Sequence, residues 1–239
     1  MIGKITDSAY VAESALTIKP IGIVLQFHGL GSTELRREPN ADELYYGEHG
    51  AVCIMPYYGP WCWMNRNARS MVDELITAAR KKFKLKADCP IVATGGSMGG
   101  TSSLIFTRYT KHPVTACLAN CPAADVTWHY TERPDLPRTF HSAFYGYKGP
   151  FQQILKEHSP LHQAAKMPRI PYLIVAGSKD SSVSQKKHAD PLVRALRKHK
   201  HNVEYLVLPE MGHCGPLPHA VAEHIREFVV SPFSNELPF

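Results

Sequence analysis

The chain has no apolar run approaching the roughly 20 consecutive residues that a bilayer-crossing helix needs, although 44% of its 239 residues are hydrophobic. A membrane partner is therefore not expected, and the apolar content suits one sizeable buried core within a single domain spanning residues 1–239. The opening MIGKITDSAY also lacks the apolar stretch of a secretory signal, so a cytoplasmic setting is expected. Metal-binding spacings are missing as well. The six cysteines, Cys53, Cys62, Cys89, Cys117, Cys121 and Cys214, form no C-x-x-C pair, and no H-E-x-x-H occurs. Neither a structural nor a catalytic metal is expected from these patterns. Scattered through a chain this long, the cysteines read as reduced buried thiols rather than a disulfide framework.

Phosphate-binding loops are absent too. No Lys-Ser or Lys-Thr follows Gly99 and Gly100, and Ser97 stands where G-x-G-x-x-G would need its second glycine if begun at Gly95. Neither a Walker-type nor a dinucleotide site is formed, and no cofactor is expected. The net charge is +6, with much of the excess in Lys81, Lys82, Lys84 and Lys86 and in Arg194, Arg197, Lys198 and Lys200. Each cluster falls near the end of an expected helix, where cations meet the helix dipole favourably. Without a nucleic-acid motif beside them they read as solvated helix ends, and no nucleic-acid partner is expected.

What the chain does carry is an alternation of short apolar runs with helical patterns. Strands are expected at about 21–27, 51–55, 90–94, 114–119, 172–176 and 203–208. Helical spacing covers 65–84, with Met71, Leu75, Ile76 and Ala79 on one face. It recurs after residue 97, where Leu104, Ile105 and Tyr109 fall, and over about 190–200 and 216–230. The strands are mostly continuous rather than alternating in apolarity, which argues for an α/β fold with a largely parallel sheet covered on both faces. The stretch 122–167 differs. It has weak periodicity, frequent prolines and many aromatics, among them Trp128, Tyr130, Phe140, Phe144, Tyr145, Tyr147 and Phe151, and reads as an insertion over the sheet edge. Both a lid and a fixed packing element fit that composition.

Gly95-Gly96-Ser97-Met98-Gly99 lies where the third of these strands meets a helix. A serine at such a turn is lifted above the sheet edge, while the flanking glycines allow close backbone approach. A glycine-rich packing turn is the competing reading. A serine hydroxyl is a weak nucleophile that needs a base, and the base needs an acid to set its tautomer. His213, in Glu210-Met211-Gly212-His213-Cys214-Gly215 after the last strand, is the expected base. His188, His199, His219 and His224 fall on or near helices and are expected at the surface. Asp180, in Gly177-Ser178-Lys179-Asp180 after the strand at 172–176, is the expected acid, with Asp125 as its rival. The oxyanion would be received by the backbone N–H of Met98, at the helix start, and of Leu30, in His28-Gly29-Leu30-Gly31 after the first strand. His28 itself is expected to brace that loop. Tyr57, Tyr58, Trp61 and Trp63 follow the second strand and are candidate lining for a substrate pocket, or a cap on the core.

The order Ser97, Asp180, His213, each after a strand, resembles the α/β-hydrolases. The run Ile170-Pro171-Tyr172-Leu173-Ile174-Val175-Ala176-Gly177-Ser178-Lys179-Asp180, together with Ser159-Pro160 and Gly95-Gly96-Ser97-Met98-Gly99-Gly100, is similar to the catalytic domain of the prolyl oligopeptidase family. The resemblance implies an α/β-hydrolase fold with an insertion at 122–167 and a metal-free acyl-enzyme mechanism. Family peptidases commonly carry a large N-terminal propeller and a tyrosine in the oxyanion loop, where this chain has His28-Gly29. The expected activity is accordingly a carboxylesterase acting on small acyl esters. An aminopeptidase or small-peptide hydrolase is the alternative, for which Glu43, Glu48 and Asp125 could capture a free amino group. A non-catalytic binding protein on the same fold is a third reading.

Overall fold

A computed structural model describes residues 5–32 and 38–234. Seven strands make one sheet: β1 (Ala9–Val11), β2 (Gly22–Phe27), β3 (Ala51–Pro56), β4 (Ile91–Gly96), β5 (Ala116–Asn120), β6 (Tyr172–Gly177) and β7 (Val203–Leu208). Their spatial order is β1-β3-β2-β4-β5-β6-β7. Every neighbouring pair is parallel except β1 with β3. The fold is the mixed α/β architecture expected from the pattern of apolar runs, with β1 as an antiparallel edge that the pattern did not disclose.

Because successive strand residues point to opposite faces, each central strand feeds two cores. Ile23, Leu25 and Phe27 face one side with Ile91 and Ala93, while Val24 and Val92 face the other. The first face is covered by α2 (Arg66–Phe83), α3 (Met98–Tyr109) and α8 (Ala189–Lys198); the second by α1 (Ala41–Glu48) and α9 (His219–Val230). Helix α2 shows how the sequence produces this packing. Ala68, Val72, Leu75, Ile76 and Ala79 recur at helical spacing and are all buried, each larger side chain contributing roughly 1.5–3 kcal/mol by leaving water. Asn65 caps its start by accepting from the Ala68 N–H at 2.9 Å, and Lys84 ends it in a left-handed conformation at φ 53°.

The insertion is helical: α4 (Val126–Glu132), α5 (Leu136–Ala143), α6 (Phe151–Glu157) and α7 (Pro160–Gln163). It is packed against the sheet domain. Leu136, Phe140 and Leu155 are fully buried, the Trp63 indole N–H donates to Thr139 Oγ1 at 3.0 Å, and Arg66 and Arg69 both reach Glu157. Helices this short present too few turns for a 3.6-residue period to emerge, and their aromatics pack on several sides at once.

Candidate active site

The turn at Ser97 is built from close backbone packing. Ser97 has φ 57° and ψ −126°, a strained conformation for a residue with a side chain. The strain persists because the surroundings leave no alternative. A Cβ on Gly99 would lie 2.0 Å from the Phe27 carbonyl oxygen, and one on Gly95 would lie 2.4 Å from the Gly99 carbonyl. The Ser97 N–H donates to the Asn120 carbonyl at 2.9 Å, tying the turn to β5. Met98, the next residue, opens α3, where the first N–H groups have no intrahelical acceptor.

The chain of hydrogen bonds from this serine is continuous. Ser97 Oγ and His213 Nε2 are 2.8 Å apart, and His213 Nδ1 lies 2.7 Å from Asp180 Oδ2. An ionised carboxylate can only accept, so Nδ1 carries the imidazole proton and Nε2 is left to accept from the Ser97 hydroxyl. The other Asp180 oxygen accepts from the N–H groups of Ser182 and Val183 at 2.9 and 2.8 Å. These bonds hold the carboxylate by both oxygens, and its side chain is only 1% exposed. Burial works to raise the Asp180 pKa, but the bonds from His213, Val183 and Ser182 outweigh it and leave the group below its usual range. The hydrogen bond to Asp180 raises the His213 pKa above 6.5 against the opposing effect of burial.

A cavity of about 680 Å³ opens at the carboxyl ends of the strands, bordered by Ser97, His213, Leu30, Trp63, His129 and Arg133. This is where ligands gather in parallel α/β sheets. Of the four aromatics expected as lining, only Trp63 borders it. Tyr58 is buried, stacks on His28 at a centroid distance of 4.1 Å and donates its hydroxyl to the His28 carbonyl. Tyr57 packs into the core on the other face of the sheet, and Trp61 is 41% exposed and away from the cavity. The short segment after β3 turns sharply, with Trp63 and Met64 at φ 46° and 50°, and so sends neighbouring aromatics to different environments. His28 braces its loop through the Tyr58 stack and the bond at its carbonyl.

Asp125 is placed differently from Asp180. It caps α4, with Oδ1 accepting from the Thr127 and Trp128 N–H groups at 3.1 Å. Glu43 is fully buried in the capping box of α1. Among the described residues bordering the cavity, the carboxylate is that of Asp42, which is paired with Arg226 at 2.7 Å.

Two of the burial expectations require correction, that of His188 at the surface and that of Cys214 in the interior. His188 is fully buried. Its Nδ1 accepts from the Asp125 N–H at 3.2 Å, so its Nε2–H donates to Glu132 Oε2 at 2.9 Å, where His129 Nδ1 also donates at 2.5 Å. Residues this far apart in sequence carry no shared local signal; only the His129–Glu132 spacing of three hints at a helix-face pair. Cys214 is exposed, whereas the other five cysteines are buried and all six are free. The Cys214 thiol lies within hydrogen-bond reach of the Asn120 carbonyl at 3.8 Å, and its interaction with the neighbouring Cys121 sulfur lowers the Cys121 pKa and raises that of Cys214.

Burial alone would raise the Glu132 pKa, but the bonds from His129 and His188 hold it far below 4.5. Its contribution to stability is therefore fully present above 4.5 and is lost as the pH falls toward the folded value. Glu132→Ala leaves two buried imidazole N–H groups unpaired, each costing about 1–3 kcal/mol. The expected result is a clearly lower urea midpoint with an unchanged m-value.

The fold is that of the α/β-hydrolases, with the Ser97–His213–Asp180 hydrogen-bond chain at the carboxyl ends of its strands. Residues 65–231 match the prolyl oligopeptidase family, and the chain belongs to it. No curated protein matches it. Among solved structures it is similar to a Mycobacterium tuberculosis puromycin-hydrolyzing peptidase, at 18% identity and a TM-score of 0.65 over 94% of this chain and 36% of that one. It is also similar to a Pyrococcus horikoshii acylaminoacyl peptidase, at 12% identity and a TM-score of 0.69 over 97% of this chain. The chain spans 40% of that peptidase's length. A lipase in its open form is matched at 18% identity and a TM-score of 0.67, over 95% of this chain and 94% of the lipase.

Proposed function

We propose that the chain hydrolyses small acyl esters through a covalent acyl-enzyme, with Ser97 as nucleophile, His213 as base and Asp180 as the acid that orients it. The observation that supports this reading is the unbroken hydrogen-bond chain Ser97–His213–Asp180 at the strained turn. Ser97 Oγ attacks the ester carbonyl carbon while its proton passes to His213 Nε2. The tetrahedral oxyanion is received by the Leu30 and Met98 N–H groups. His213 then returns the proton to the departing alkoxide, and the acyl group stays on Ser97. Water repeats the sequence with His213 as base, releasing the carboxylic acid and restoring the serine.

Two features favour an ester over a free-amino peptide. The cavity's described carboxylate, Asp42, is already paired with Arg226, which leaves little to hold an ammonium group. The Tyr58 hydroxyl is engaged by the His28 carbonyl rather than directed at an oxyanion, and an alkoxide leaves with less help than an amine. Peptide hydrolysis is the second reading, favoured by the family and by the two peptidases above. Paired substrates decide between them: 4-nitrophenyl acetate against acetyl- and aminoacyl-4-nitroanilides. The expected result is a kcat/KM for the ester that exceeds every anilide by well over the roughly 10²-fold that small pocket differences can produce. Comparable values for an anilide overturn the ester reading in favour of the peptidase one.

A further inference from the structure

Beside the hydrogen-bond chain lie two thiols that the proposed mechanism does not use, clustered with its histidine. Cys121 follows the last residue of β5 and is 2% exposed; Cys214 follows His213 and is open to solvent. One ligand atom from each of Cys121, His213 and Cys214 lies within 4.8 Å of the other two. Tetrahedral zinc, with Zn–S near 2.3 Å and Zn–N near 2.0–2.1 Å, needs its ligand atoms about 3.5–3.8 Å apart. The cluster meets that spacing with small movements, and the exposure of Cys214 provides an entry path.

We propose that Cys121, Cys214 and His213 form a binding site for a thiophilic divalent cation such as Zn²⁺, and that an ion bound there blocks hydrolysis. Two thiolates and an imidazole are the donor set zinc favours, with water completing the tetrahedron. Binding expels one proton from each thiol to solvent. The blocking half rests on the role proposed for His213 and follows from its geometry. Neither ring nitrogen is spare, because Nδ1 is bonded to Asp180 and Nε2 to Ser97. Whichever nitrogen takes the ion, one of those two bonds is lost, and the imidazole can no longer accept the serine proton while held by Asp180.

A rival donor set exists at His129, Glu132 and His188. There, however, His188 Nδ1 already accepts from the Asp125 N–H and both imidazole protons are held by Glu132. An ion would have to dismantle a closed, buried network.

Binding and blocking are tested separately on the full chain. Co²⁺ added to the reduced protein is expected to give a near-ultraviolet thiolate-to-cobalt absorption band that Zn²⁺ displaces. The band is expected in wild type and equally in Ser97→Ala, so it reports binding whether or not esters are turned over. It is expected to vanish in Cys121→Ser and in Cys214→Ser, two separate variants that keep the test open should one fail to fold. In the activity assay, Zn²⁺ is expected to suppress 4-nitrophenyl acetate hydrolysis by wild type, with recovery on adding EDTA. Each serine variant is expected to raise the half-inhibitory Zn²⁺ concentration by at least the roughly 10–100-fold that losing even an outer partner of a ligand costs. No charge-transfer band, or one that survives both cysteine substitutions, overturns the site. Equal inhibition of wild type and both cysteine variants overturns the blocking role, and relief by His129→Gln instead assigns the ion to the rival cluster.

Discussion

Ser97→Ala is expected to abolish ester hydrolysis, with a loss on the order of 10⁶-fold in kcat, while leaving thermal unfolding nearly unchanged. The size of the loss follows from what the hydroxyl does. Without Oγ there is no acyl-enzyme, and what remains is the residual assistance of the oxyanion donors and binding. The small stability effect follows from the surroundings. Alanine keeps the same Cβ at φ 57°, so the backbone strain is neither relieved nor increased. The lost hydrogen bond to His213 is a single one, worth roughly 0.5–1.5 kcal/mol. Intact mass after fluorophosphonate treatment provides a check that requires no guess about substrate. One adduct is expected on wild type and none on Ser97→Ala. Turnover retained by the variant would overturn the assignment of the nucleophile, and a folded wild type that takes no adduct would favour a binding protein on the hydrolase fold.

Asp180→Asn is expected to lower kcat by about 10⁴-fold, because an amide can present its N–H to Nδ1 and so favour the wrong imidazole tautomer. The pH profile distinguishes this from a general loss of structure. Hydrolysis needs neutral His213, so kcat/KM rises with pH as the imidazole loses its proton. The Asp180 hydrogen bond raises the His213 pKa above 6.5, placing the midpoint of that rise above 6.5 in wild type. With the carboxylate removed, the midpoint is expected to move to lower pH even though the rate is far smaller. Asp125→Ala provides the contrast. It removes the cap of α4, costing roughly 1 kcal/mol of stability, with little change in turnover. If Asp125→Ala rather than Asp180→Asn collapses the rate, the assignment of the acid is wrong.

Much of this site was legible before any coordinates. The buried strands carry continuous apolar runs, Ile23, Val24 and Leu25 among them, and such runs are visible without knowing what they pack against. The turn at Ser97 was legible because its backbone geometry demands glycine at Gly95 and Gly99. The expected bounds of β2 to β7 and of α2 fall within a few residues of those observed.

Other elements were not legible, each for a physical reason. Strand β1 is three residues long and owes its form to pairing with β3, so no period could reveal it. Helix α1 buries Glu43 beneath the Tyr10 hydroxyl, an inward-facing charge that breaks the usual amphipathic pattern. The insertion's short helices conceal their period among aromatics that pack on several sides. Tyr57, Tyr58 and Trp61 were candidates for the pocket on proximity in sequence, yet each side chain follows its own backbone direction away from it.

Sequence alone determined the class of architecture and the order of the three candidate catalytic residues, since burial pattern and turn chemistry are local properties written into adjacent residues. Tertiary structure alone decided which side chains meet: His213 against Ser97 and Asp180, His188 and His129 on one carboxylate, and Cys121 beside Cys214 at the edge of the cavity. Those encounters depend on how the parallel crossovers return each loop to the same edge of the sheet. Distance along the chain says nothing about that return, because the strands that bring these groups together are neighbours only through hydrogen bonds between distant segments.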